Sequence, residues 1–208
     1  MRDVRAIESD DFVSWSAQKP ISFNGADFQL YNNVVFPYPR APHLFVGFPL
    51  RYVERKAWTK NYDELCGREQ RLERMKYLAR WGLAITDGLF MCSRDGYNFT
   101  KYDEAILPPP PENPEAFVYG DGSASPAVIE VPSEIPGADN EYMIIVRESF
   151  RAVEGFNKLV KYTIRLDGFV SLHAGGEEKK IVTKEFIYDG DELYANIATS
   201  ARGYCMLI

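Results

Sequence analysis

Ser93-Arg94-Asp95-Gly96-Tyr97-Asn98-Phe99 closes the apolar run Leu89-Phe90-Met91-Cys92, and the reading of that junction decides the fold. Asp-Gly between apolar runs marks a hairpin, because glycine accepts positive φ and aspartate bonds its own backbone. The same corner, a polar residue with an acid two residues on and an aromatic or small residue to close it, occurs twice more. The other copies are Ser9-Asp10-Asp11-Phe12-Val13-Ser14-Trp15 and Arg165-Leu166-Asp167-Gly168-Phe169-Val170-Ser171, so the acids at 11, 95 and 167 lie 84 and then 72 residues apart. Recurrence at long, roughly regular spacing predicts repeated antiparallel sheets, as in the blades of a propeller. Three unrelated turns are the plainer reading of the same spacing.

The 208-residue chain is 46% apolar and 14% aromatic, mostly Tyr and Phe, which allows a sizeable core and favours strands. A formal charge of −6 argues against a nucleic-acid partner, whose phosphates need clustered positive charge. No stretch is long and apolar enough to span a bilayer, so no membrane partner is expected. The opening MRDVRAIESDD lacks the apolar core of a signal peptide, which makes the cytoplasm the default address unless further residues precede it. Cys66, Cys92 and Cys205 are odd in number and scattered, and His43 and His173 stand apart. Neither a disulfide framework nor a metal site is indicated, and no cofactor is expected. There is no Gly-rich phosphate loop and no nucleophile elbow.

Along the chain, residues 28–53 read as strand, turn, strand. Residues 62–80 read as a helix with Leu65, Leu72, Met75 and Ala79 on one face and Gly82 placed to end it. The prolines at 108–111 and 114 make an extended connector. PAVIEV, EYMIIVRESF and LVKYTIRL read as strands. After residue 173 the texture changes to short strands at 179–188 and 192–200, so a boundary is expected between 173 and 174. The chain begins at a corner with nothing before it to form a sheet, and ends on the apolar run Tyr204-Cys205-Met206-Leu207-Ile208. A strand needs a neighbour on its ladder, so the chain is expected to be an internal piece of a longer protein, with exposed sheet edges that promote self-association.

Ala84-Ile85-Thr86-Asp87-Gly88-Leu89-Phe90-Met91, Ser93-Arg94-Asp95-Gly96, Asp103-Glu104-Ala105, Tyr119-Gly120-Asp121 and the run from Tyr162 to Ser171 together resemble bacterial proteins related to glycoside hydrolase families 32 and 43. The tail residues Thr183, Lys184, Gly190, Glu192, Leu193, Asn196 and Thr199 to Ala201 are similar to the start of the second domain of those proteins. The resemblance implies an all-β fold: residues 1–173 are part of a five-bladed propeller of antiparallel blades, with a helical insertion at about 62–80. It implies that residues 174–208 are the start of a β-sandwich. It implies a carbohydrate substrate or ligand and hydrolysis of a glycosidic bond. It also implies a nucleophile or base carboxylate in an early blade, for which this sequence has no counterpart. A non-catalytic carbohydrate-binding or structural protein is therefore the alternative.

Glycoside hydrolysis needs two carboxyl groups roughly 5 to 9 Å apart. Asp121 is the first candidate, because Gly120 and Gly122 let the backbone turn sharply and present the acid beside Tyr119, whose ring can stack on a sugar. Glu148, at the end of the strand through Tyr142 to Val146, is the second; Arg147 should project to the opposite face. Asp87 and Glu104 match the family pattern, although turn chemistry alone accounts for Asp87. Arg40 and Arg51 flank a strand that should line a blade, where an arginine fork binds sugar hydroxyls or keeps a carboxylate ionised. A salt bridge to one of the 30 acids explains Arg51 equally.

Overall fold

A computed structural model describes residues 4–151 and 157–206. Of these, 32% lie in strands and 10% in helices, and the strand pairings are antiparallel except one, so the class is all-β without a closed barrel. Two compact units meet between residues 171 and 172, two residues before the expected boundary.

In the first unit a short ribbon pairs β1 (Arg5–Ala6) with β2 (Lys19–Pro20) around the first corner. The larger sheet is centred on β8 (Ile85–Ser93). One edge of β8 pairs with β9 (Asn98–Leu107), which β3 (Ser22–Phe23) joins in parallel. The other edge pairs with β6 (Ala41–Gly47) and β7 (Leu50–Val53), and these pair in turn with β5 (Val35–Tyr38) and β4 (Gln29–Tyr31). β6 and β7 part at Phe48-Pro49, where proline has no N–H to give to a ladder. β8 is paired on both edges and buried on both faces along nearly its whole length, so ITDGLFMCS lacks the polar alternation of a half-exposed strand.

The corner between β8 and β9 is built by its acid. Asp95 accepts the backbone N–H groups of Tyr97 at 2.9 Å and Asn98 at 2.8 Å, and the Ser93 hydroxyl at 2.9 Å. Asp11 repeats this with the N–H groups of Val13 and Ser14 at 2.8 and 2.7 Å and the Ser9 hydroxyl at 3.1 Å. The donors hold both carboxyls below the ordinary range, Asp11 at about 2. The third corner differs. Arg165 stands where the others carry serine, and Asp167 instead takes the Tyr38 phenol and faces Arg40 at 3.4 Å. Two of the three corners therefore share one geometry.

The smaller sheet is centred on β12 (Glu141–Glu148). It pairs along its length with β13 (Lys158–Arg165), and on its other edge with β10 (Ser123–Ala124) and β11 (Ile129–Val131). Strict alternation along β12 turns Tyr142, Ile144, Val146 and Glu148 to the buried side. The first three join Tyr38, Val46, Phe48, Phe90 and Leu107 of the larger sheet in one core. Phe169, delivered by the third corner, stacks on Phe90 with ring centroids 4.9 Å apart and also lies 6.1 Å from Tyr142. Truncating Phe90 to Ala should cost about 3–5 kcal/mol.

The helical segment is divided into α1 (Lys60–Asp63), α2 (Arg68–Tyr77) and α3 (Ala79–Leu83). Gly67 breaks it with φ +67°, against the Pro114 carbonyl, and Leu78 is extended. The buried residues of α2 are not Leu72 and Met75, which are half-buried, but Arg71 and Arg74. Gly82 lies inside α3 rather than ending the helix, packed on the Arg71 carbonyl. Arginine suits these positions because each guanidinium donates to backbone carbonyls beyond its own helix: Arg71 serves Tyr62, in the last turn of α1, and Leu65 at 2.7 and 2.9 Å.

The described residues of the second unit form no strand or helix, including those at 179–188 and 192–200. A strand is held by its ladder partner, and these residues find none. Of the apolar run 204–208, the last two residues lie outside the described set.

Candidate functional site

The alternation that buries three apolar side chains of β12 also carries Glu148 inward at the strand's end, where it is 9% exposed. Its carboxylate accepts the Tyr162 hydroxyl at 2.5 Å, and burial together with that bond pushes the Tyr162 phenol up to about 12. Asp121 reaches the same end of the sheet because Ser123 pairs with Arg147. Gly120 and Gly122 take φ +112° and +80°, the sharp turn the sequence predicts. A Cβ at Gly120 would come within 2.0 Å of the Phe150 ring.

Asp121 has no exposed surface. Its two oxygens accept the backbone N–H groups of Phe150 at 2.7 Å and Ser149 at 3.2 Å. Burial pushes its carboxyl up to about 6, and the charge of Glu148 adds to the rise. The Phe150 N–H, the Arg74 guanidinium and the Ser149 N–H oppose it. Ser149 and Arg151 lie in the left-handed region at φ +53° and +59°, a backbone cost that the Asp121 bonds offset. Arg74 ties α2 to this turn through the Arg151 carbonyl at 2.9 Å, and to the preceding loop through the Glu115 carbonyl and carboxylate.

The larger sheet meets the same turn through Thr86. Its hydroxyl donates to the Asp121 carbonyl at 2.8 Å and accepts the Gly120 N–H at 2.7 Å. Next along β8, Asp87 stands opposite Arg51 of β7, and the two form a two-pronged pair at 2.8 and 2.5 Å. That pair raises the Arg51 pKa further. Arg51 also donates to the Asp103 carbonyl at 3.0 Å and lies over the Phe28 ring, so the salt-bridge reading describes its contacts. Tyr119 meets Tyr52 and Tyr31 edge-on at 5.8 and 6.1 Å, and the Arg80 and Arg151 guanidiniums lie over its ring.

Asp121, Glu148, Tyr119, Asp87 and Arg51 are thus gathered about one end of the two sheets. Arg40 is not among them. It sits in the turn between β5 and β6, half-exposed beside Asp167, in a cleft shared with Glu130, Asp139 and Asn140. Arg147 points away from the buried face of β12, as expected, and donates to the Gly120 carbonyl at 3.0 Å. Sequence reading overlooked Thr86, Tyr162, Arg74 and Arg151. Thr86 and Tyr162 lie within the family-like motifs, but all four act through partners 14 to 77 residues away, and no local pattern marks such pairs.

Among the described residues no group of three or more His, Cys, Asp or Glu is placed to hold a metal ion, and no helix is long and apolar enough to cross a membrane. Comparison with family models, with curated proteins and with solved structures finds no match for this chain.

Proposed function

We propose that the chain is part of a glycoside hydrolase-like protein acting on a glycosidic bond of an oligo- or polysaccharide. In this reading the antiparallel sheets are blades of a five-bladed propeller and residues 174–208 begin a β-sandwich. One observation carries it: two carboxyl groups, Asp121 and Glu148, come to one sheet end in different environments. Burial pushes the wholly enclosed Asp121 up to about 6, whereas Glu148 keeps a little surface. Glu148 retains surface and is assigned contact with the sugar. Asp121 has none and is a positioning residue, holding the turn at 149–150. The early-blade carboxylate that the resemblance calls for has no match in this sequence.

The non-catalytic reading has its own support, because both Asp121 oxygens are already engaged by backbone N–H groups. The hydrolytic reading and the carbohydrate-binding reading both require saccharide binding, whereas a structural role does not. Electrophoresis of the chain through gels containing single polysaccharides tests that requirement directly. Retardation by at least one polymer is expected, and unchanged mobility in all of them would overturn both readings. Product release from the retarding polymer by the native protein then favours hydrolysis over binding alone.

A further inference from the structure

We propose that Arg80, Trp81, Arg147 and Arg151, gathered around Tyr119 and Phe150, form an anion subsite that takes the carboxylate or sulfate group of an acidic saccharide. The saccharide part rests on the function proposed above; the anion part stands on the cluster itself. The Arg147 guanidinium lies 3.9 Å from the centre of the Phe150 ring. That of Arg151 lies 4.5 Å from the same ring, 4.2 Å from Trp81 and 5.2 Å from Tyr119, and that of Arg80 lies 5.3 Å from Tyr119. Three nitrogens of the cluster, Arg147 Nε, Arg151 Nη1 and Trp81 Nε1, are buried without an acceptor among the described residues. A buried donor left without an acceptor costs about 1–3 kcal/mol, and folded proteins rarely keep three together.

The nearby acids do not supply the missing acceptors. Asp121 is taken by Ser149 and Phe150, Glu148 by Tyr162 and Glu115 by Arg74. No described carboxylate forms an ion pair with Arg80, Arg147 or Arg151. Guanidinium and indole groups only donate, so what completes them is an acceptor, and a planar or tetrahedral oxyanion fits the guanidinium fork. Arg80 is exposed and Tyr119 half-buried, so the cluster reaches the surface.

The test is calorimetric titration of the full chain with polygalacturonate, a sulfated galactan, the uncharged polymers of matching backbone, and sodium sulfate alone. At least one acidic polymer should bind tenfold or more tightly than its neutral counterpart. Arg147→Met and Arg151→Met should each lose tenfold or more of that binding. Arg80→Ala, at an exposed position where folding is not at risk, should lose several-fold. Equal binding of acidic and neutral polymers would overturn the subsite while leaving the saccharide reading standing. Sulfate binding that the Arg variants abolish, without binding of any polymer, would keep the anion subsite and remove the saccharide. Binding of neither sulfate nor acidic polymer, or variants that bind like the wild type, would overturn the proposal.

Discussion

The carboxylate of Asp121 accepts the backbone N–H of Phe150 at 2.7 Å from a position with no solvent exposure, so one acid fixes the turn that follows β12. With the second bond from Ser149, it holds two donors for which no other described residue supplies an acceptor. Asp121→Ala removes both acceptors and leaves a void. It should destabilise the first unit by about 2–4 kcal/mol in urea unfolding. A loss below about 0.5 kcal/mol would show that the turn is held by other means.

The same acid gives a pH signature. Its folded pKa of about 6 lies above its ordinary 3.8, so the native chain holds this proton more tightly than the unfolded one. The contribution to stability is full below about 3.8 and is lost as pH rises through about 6. Asp121→Asn is uncharged throughout. The melting temperature of the wild type relative to this variant should therefore fall between about pH 4 and pH 7.

Asp95 should behave with the opposite sign. Backbone N–H groups hold its carboxyl below 3.8, so its contribution is present above that value and lost as pH falls through the lower folded one. The wild type should lose its advantage over Asp95→Asn on acidification below about pH 4. A difference independent of pH in both variants would contradict the assigned environments.

Gly120 is strained for any other residue, with φ +112° and the Phe150 ring in the way of a Cβ. Gly120→Ala should cost at least about 1–3 kcal/mol from the backbone alone, and more from the displaced ring. Gly137, with φ +79° but nothing within 4 Å of an added Cβ, is the control: Gly137→Ala carries the backbone term without the clash.

Arg74 is 2% exposed and bonds one turn carbonyl, one loop carbonyl and the Glu115 carboxylate. Arg74→Met leaves those groups without their donor and should cost about 3–5 kcal/mol. It should also move the fluorescence of Trp81, which packs against Arg151. Glu115→Gln keeps the backbone bonds and should cost less.

How far this was legible in the sequence follows the range of the interactions. The corners at 11 and 95 are closed by bonds to residues two and three positions on, and Ser-x-Asp marks them openly. The alternation through Tyr142, Ile144 and Val146 placed Glu148, and the paired glycines placed the turn at Asp121. The corner at 167 was misgrouped, because its acid bonds Tyr38, 129 residues away. The helix was placed but divided, since apolar periodicity cannot foresee that Arg71 and Arg74 are drawn inward by loop carbonyls. Arg40 is grouped with Arg51 because the two flank one apolar stretch, but they stand at its opposite ends, and strand direction sends Arg40 to the far end of the sheet.

The central claim, that the sheet end carrying Glu148 and Asp121 works on a glycosidic bond, is tested most directly by product release from a bound polysaccharide. The measurement compares the native protein with Glu148→Gln at matched melting temperature, reading products by chromatography. The account predicts release by the wild type and a loss of about 100-fold or more in the variant. Equal release by both, or none by the wild type from any polymer it binds, would contradict it.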